Sequence, residues 1–169
     1  MRLCVLTIAT CLLFPTVNLG QTGIAIEGVW RVAEIVVPRL NPQAGGASVT
    51  VRDPQPGLWI FTKGYYTQMS VQAGAPRPAL PPPQNPQNLT DAEKIARYAE
   101  WRAFSASSGT YEVKGSMLIS RVIVAKNVDV MTRETQPVWE IRAEGHDTLW
   151  LIPSGREVTE PQLKLTRLE

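Results

Sequence analysis

The alternation of apolar and polar positions begins at Gly28. From there to Val37 the residues are β-branched or apolar, with charges at Arg31 and Glu34, and Pro38 ends the run. This predicts a first strand. Loop chemistry from Asn41 to Gly46 precedes a short second strand, Ser48 to Arg52, and residues Asp53 to Gly57 form a breaker cluster with two prolines. Leu58 to Thr62, Lys63-Gly64 and Tyr65 to Val71 read as a hairpin, in which Gly64 supplies the positive φ of a tight turn. A second hairpin is expected from Thr110 to Val113, a Lys114-Gly115 turn, and Met117 to Ala125. Val138 to Glu144 sets Trp139, Ile141 and Ala143 on one face and Glu140, Arg142 and Glu144 on the other. Gly145-His146-Asp147 turns this strand into Thr148 to Ile152, and Gln162 to Leu168 closes the chain. Eight or nine short, regularly spaced strands predict a mainly β fold, a barrel or a sandwich.

Two segments interrupt that pattern. Residues 74–87 carry six prolines in fourteen positions, which bars both helix and sheet ladder and predicts an extended polyproline-type loop. It is read as a surface connection, with a lid or a strip for a protein partner as the functional alternative. Thr90 to Glu93 then form a capping box. Ile95, Ala96, Tyr98, Ala99, Trp101, Arg102 and Phe104 follow at helical spacing, so one amphipathic helix is expected over 91–104. Asn88-Leu89-Thr90 is also a glycosylation sequon, relevant only in a secretory pathway that glycosylates.

The first twenty residues have a different character. After Arg2, Leu3 to Phe14 is apolar apart from Thr7 and Thr10. A stretch of about a dozen residues is short of the ~20 that span a bilayer, and reads instead as a secretory signal peptide. Cleavage is expected after Gly20, or as late as Ala25, leaving one domain over 26–169 in a secreted or periplasmic location with no stable membrane anchor. Cys4 and Cys11 lie in the removed segment, so disulfides and thiol catalysis are not expected. Ile8 to Cys11 bears a faint likeness to a lipoprotein acylation box. Losing Arg2 takes Lys+Arg from 17 to 16 against 15 acids, scattered along the chain, which gives no basic patch for nucleic acid.

Three separated pieces, taken in order, resemble the lipocalin-like domain family of bacterial calycin-type barrels. Gly28-Val29-Trp30 matches the G-x-W signature. Gly57 to Val71, a helix, and Gly109 to Val113 match the middle of the domain, and Glu144 to Leu151 with a terminal strand carrying Arg167 matches its end. The resemblance covers nearly all of the mature chain. It implies an antiparallel lipocalin-like β-barrel of about eight or nine strands with one inserted helix. It also implies that Trp30 plugs the closed end under a basic residue of the last strand, Arg167 first and Lys164 second, the cation resting on the indole. Family members often carry a histidine where this chain has Met117 to Val122, and an arginine before the last turn. Arg121 and Arg142 are the polar groups expected in or near the mouth.

Chemistry by elimination points to binding. The single histidine, His146, sits in a turn, and no Gly-x-Ser-x-Gly elbow or glycine-rich phosphate loop is present, so neither a metal, a cofactor nor a nucleophilic triad is expected. Trp59, Tyr65, Tyr66, Tyr98, Trp101, Tyr111, Trp139 and Trp150 fall on predicted strands or the helix, and an eight-stranded barrel holds side chains or one small ligand. Tyr66, Gln68, Tyr111, Arg121 and Arg142 are the candidate polar contacts. The leading reading is an exported protein binding a small apolar or amphipathic molecule in the barrel. The alternatives are a barrel enzyme doing isomerase- or cyclase-type acid–base chemistry, and a filled barrel acting as an interaction protein.

Overall fold

The computed structural model describes residues 24–38, 48–77, 79–155 and 160–169. The leader reading, the loop at 39–47 and Pro78 of the proline-rich segment lie outside them. The described chain forms nine strands and two helices: β1 (Gly28–Val37), β2 (Val49–Arg52), β3 (Gly57–Thr62), β4 (Tyr65–Val71), α1 (Asp91–Arg102), β5 (Phe104–Lys114), β6 (Met117–Ala125), α2 (Val128–Met131), β7 (Val138–Ala143), β8 (Thr148–Pro153) and β9 (Gln162–Arg167). Pairing is antiparallel throughout. The order runs β1-β3-β4-β5-β6-β7-β8-β9, and β9 pairs back onto β1. The sheet is therefore a closed eight-stranded barrel, the form that removes exposed edges. β2 is the extra strand, laid on the upper half of β1 beyond the end of β3.

Three irregularities shape the barrel. Asp53 adopts a φ of 46° and donates its amide to the Ala33 carbonyl at 3.0 Å. This kink separates β2 from β3, as the breaker cluster led one to expect. The β1–β9 register shifts between Val32 and Glu34, so one residue is inserted and the inward set changes from Trp30 and Val32 to Ile35. A second shift lies between Ser108 and Gly109 on β5. A Cβ on Gly109 would stand 2.0 Å from the Arg121 carbonyl oxygen, so only glycine lets the two backbones approach there.

Inward parity fills the lower half. Trp30, Phe61, Leu118, Ile141, Leu149, Leu151 and Leu165 are almost wholly shielded. Arg167 lies across the Trp30 ring, its guanidinium carbon 4.1 Å from the centroid. Its nitrogens donate to the carbonyls of Glu27 at 2.7 Å, His146 at 2.9 Å, Glu169 at 3.2 Å and Ala25 at 3.4 Å. The indole nitrogen of Trp30 donates to the Ile26 carbonyl at 2.8 Å.

The helix departs from its expected length. It ends at Arg102, and Phe104 opens β5. Lys126 braces this junction: its ammonium donates to the Trp101 carbonyl, which also accepts from the Ala103 amide, and to the Phe104 carbonyl at the start of β5. The serine-rich run to Gly109, read as a break, is strand, because Phe104 to Thr110 pairs along all of β4. The four-residue α2 was not foreseen, and no side chain caps it. The capping box is present, Thr90 accepting from the Glu93 amide at 3.3 Å and Glu93 from the Thr90 amide at 2.8 Å. None of the α1 side chains is buried, and Ile95, Tyr98 and Trp101 are 70%, 64% and 56% exposed. The helix is an appendage, tied to the proline-rich strap by Arg97 donating to the Pro81 carbonyl at 3.0 Å.

Three outcomes are expected. Trp30→Ala should cost roughly 3 to 5 kcal/mol in urea unfolding through the cavity it leaves; Arg167→Lys should cost about 1.5 to 3 kcal/mol by losing the forked hydrogen bonds. Thr90→Ala should speed amide exchange in α1 while leaving the melting temperature of the barrel unchanged, because the cap holds a segment that buries nothing. A drop in barrel melting temperature equal to a core truncation would refute that independence.

Candidate functional site

Above the filled layers the barrel is hollow. A cavity of about 950 Å³ opens at the upper end. Trp59 and Trp139 stand at its base, edge to face with centroids 6.0 Å apart, and Trp59 stacks on Phe61 at 5.6 Å and on Tyr66 at 6.0 Å. Each aromatic is inward because it lies in register with an inward neighbour: Trp30 opposite Trp59, Phe61 opposite Tyr66, Leu118 opposite Trp139.

The wall has two characters. β1 and β9 contribute Val32, Ile35 and Leu163, and β3 contributes Gly57, whose added Cβ would meet Val32 Cγ2 at 2.8 Å. β4, β5 and β6 contribute Gln68, Ser70, Ser105, Ser107 and Ser120 with the Tyr66 ring. These polar groups form a chain. Gln68 Nε2 donates to Ser107 Oγ at 3.2 Å, the Tyr66 hydroxyl is hydrogen-bonded to Ser107 and Ser120, and Ser120 Oγ donates to the Pro137 carbonyl at 3.3 Å. The hydroxyls of Ser70 and Ser105 have no hydrogen-bond partner among the described residues. Charged lining groups are Arg52, Asp53, Arg133 and Glu160, all on loops or on the extra strand at the rim.

The candidate contacts do not converge. Tyr66 and Gln68 line the cavity. Tyr111 points inward but lower, edge to face against Phe61 at 5.3 Å, and is not part of the cavity lining. Arg121 and Arg142 are corrections: period two on β6 turns Leu118, Ser120 and Val122 inward, and on β7 Trp139 and Ile141, which leaves both arginines on the outer surface. Arg142 lies over the outward Trp150 ring at 5.4 Å, beside Glu144 at 3.9 Å. The serines were missed. Ser70 follows Tyr66 and Gln68 at period two and was legible in β4; Ser105 and Ser107 were hidden by reading their segment as helix end and loop.

Burial pushes the Tyr66 phenol above its ordinary value, with the two serine hydrogen bonds opposing. It therefore stays protonated through neutral pH, a donor and acceptor rather than a base. Tyr111 is raised too, by burial first and then by the Glu27 charge. Among the described residues no group of three or more His, Cys, Asp or Glu side chains is placed to hold a metal ion, and no helix is long and apolar enough to cross a membrane.

An up-and-down antiparallel barrel of eight strands, closed by its first strand against its last and plugged by a tryptophan under a terminal-strand arginine, decides the fold. The fold is lipocalin-like. No protein-family model matches the chain, and no curated protein does. Among solved structures it is similar to a lipocalin-like protein from Bacteroides uniformis, 14% identical, with a TM-score of 0.45, covering 84% of this chain and 97% of that one. It is also similar to an uncharacterized protein from Bacteroides eggerthii, 9% identical, with a TM-score of 0.43 and coverage of 83% and 98%. The assignment of fold rests on the strand order of this lipocalin-like chain and on its closure.

A tyrosine whose folded-state pKa is raised keeps its proton when the unfolded chain has lost it, so its contribution is fully present below the ordinary tyrosine pKa of about 10 and is lost as pH rises from there through the higher folded-state value. Stability should fall on alkaline titration, and the fall should be shallower in Tyr66→Phe, with Tyr111 supplying the remainder. Equal slopes for the two proteins in urea unfolding across that range would show that Tyr66 is not held in a poorly solvated site.

Proposed function

We propose that this is an exported lipocalin-like protein that binds a small apolar or amphipathic molecule in the upper half of its barrel. The cavity of about 950 Å³ carries the reading: it falls within the ~300–1,000 Å³ of small-molecule sites, and like them it combines apolar walls with a few convergent polar groups. A filled barrel, the premise of the interaction-protein alternative, has no room for such a space. The acid–base alternative has less support, because the titratable side chain inside the cavity is a tyrosine held protonated and the carboxylates stand at the rim.

Export is read from residues 1–20. Processing after Gly20 fits the barrel better than processing after Ala25, since Ile24 packs against the core and the Ala25 carbonyl accepts from Arg167. N-terminal sequencing of the protein from its own host should find Gln21 first, in the secreted or periplasmic fraction. An intact Met1 in the cytoplasmic fraction would refute export.

Native mass spectrometry of the host-purified protein, with denatured extraction, tests the binding reading. A defined small molecule should be released on denaturation. A clean apo mass that persists with a lipid and metabolite library present would overturn the carrier reading and leave the exposed face of α1, with Ile95, Tyr98 and Trp101, as the surface to examine.

A further inference from the structure

Polarity in this cavity is divided lengthwise rather than by depth. On the β4–β5–β6 side, polar groups run from Ser70 and Ser105 near the mouth, through Gln68 and Ser107, to the Tyr66 hydroxyl and Ser120 at the base, with Val71 and Val122 as the aliphatic members of that side. The facing β1–β9 side presents Val32, Ile35 and Leu163 over the same height. A molecule polar at one end, such as a fatty acid, matches a cavity that is apolar in its depth and polar at its mouth. That is not the arrangement here. It would set its hydrocarbon against the hydroxyls and leave them without partners, at the cost of desolvation.

Charge narrows the choice further. Inside the barrel the lining groups are hydroxyls, an amide, indoles and aliphatic chains; among the described residues no cation lines the cavity below the rim, where Arg52 and Arg133 stand. An ion placed low in the cavity would lose its hydration without a counter-charge. The Ser70 and Ser105 hydroxyls, uncommitted within the described protein, the carbonyl oxygen of Gln68 and the buried, unpartnered Trp139 Nε1 are the groups left to recognise a ligand, while the Trp59 and Trp139 rings offer faces or edges beneath it.

We propose that the cavity selects a rigid, uncharged, ring-bearing molecule with hydroxyl or carbonyl groups along one edge, that edge lying on β4, β5 and β6 and the apolar edge on β1 and β9. This rests on the binding reading above and names the chemical class. Rigidity follows from the division: a ring system keeps its two edges apart, whereas a flexible chain exposes its methylenes to both walls. Ser70 and Ser105 are the specificity determinants at the mouth and Gln68 the one below them.

Three probes with one four-ring frame separate the requirements: pyrene, 1-hydroxypyrene and pyrene-1-carboxylate, titrated at slightly acidic pH against quenching of protein tryptophan fluorescence, with hexadecanoate as a competitor. 1-Hydroxypyrene should bind about tenfold more tightly than pyrene, as one or two net hydrogen bonds allow, and at least about tenfold more tightly than the carboxylate; hexadecanoate should compete poorly. The Ser70→Ala/Ser105→Ala double variant, whose hydroxyls support no other group, should bring 1-hydroxypyrene down to the affinity of pyrene and leave pyrene unchanged. If that variant melts early, Gln68→Leu takes its place. Tightest binding by the carboxylate, or ready displacement by hexadecanoate, would overturn the proposal in favour of an anion held at the rim while leaving the binding function standing. Equal affinities for all three frames, unaltered in the variants, would also overturn it and leave binding standing. No binding of any probe, hexadecanoate included, would remove the proposal and the binding reading together.

Discussion

The structure depends on the meeting of its first and last strands. β9 pairs with β1 from Trp30 opposite Arg167 to Val36 opposite Gln162, and this closure gives each barrel strand two neighbours. Arg167 concentrates the constraint at one point. Its fork gathers carbonyls from the segment before β1, from the β7–β8 turn and from the chain end, while its plane covers Trp30. A lysine offers one point charge to the same four oxygens and no plane for the indole. With the lower end sealed in this way, apolar side chains fill upward to Trp59 and Trp139, and any free volume is displaced to the other end.

The two bulges then decide what that volume looks like. The insertion in β1 brings Ile35 rather than Glu34 to the cavity, and Glu34 faces Lys164 across the outer surface at 3.8 Å. The bulge opposite Gly109 takes up the extra residue of β6, while on β5 period two runs unbroken from Tyr111 through Gly109 to Ser107 and Ser105, which line the cavity with Val122 of β6. Both bulges are local changes of backbone register.

Charge is kept to the outside. Arg142 and Lys164 flank Trp150, and Lys164 stands 3.8 Å from both Glu34 and Glu144; exposed or half-exposed pairs of this kind contribute little to stability. Inside, Tyr66 is the titratable lining group below the rim among the described residues, and burial holds it neutral. A ligand held there as proposed would be recognised by shape and neutral hydrogen bonds, and its affinity should respond weakly to salt, since screening acts on charges. The strap and α1 stand apart from this system. Their cohesion comes from the capping box, from Lys126 at the helix end and from Arg97 on the Pro81 carbonyl.

Much of the architecture is carried by local pattern. Period-two alternation, the Lys63-Gly64 and Lys114-Gly115 turns and the Thr90–Glu93 box are short-range features, and the strands and helix start follow from them almost residue by residue. The pairing of Trp30 with Arg167 was legible only through resemblance to a family, since 137 positions of chain separate the two. Tertiary structure alone decided the site. Period two predicts two faces for a strand and does not say which is inside, so Arg121 and Arg142 were placed in the mouth when their neighbours Ser120 and Ile141 are the inward residues. The serines at 105 and 107 carry no apolar signal and became a cavity wall only because β4 captured the backbone of both and β6 that of Ser107. The amphipathic stripe of α1, by contrast, was plain in the sequence and is not used to cover the barrel, since none of its residues is buried; hydrophobic spacing states what a face can bury, and only the assembled fold determines what is there to bury it against.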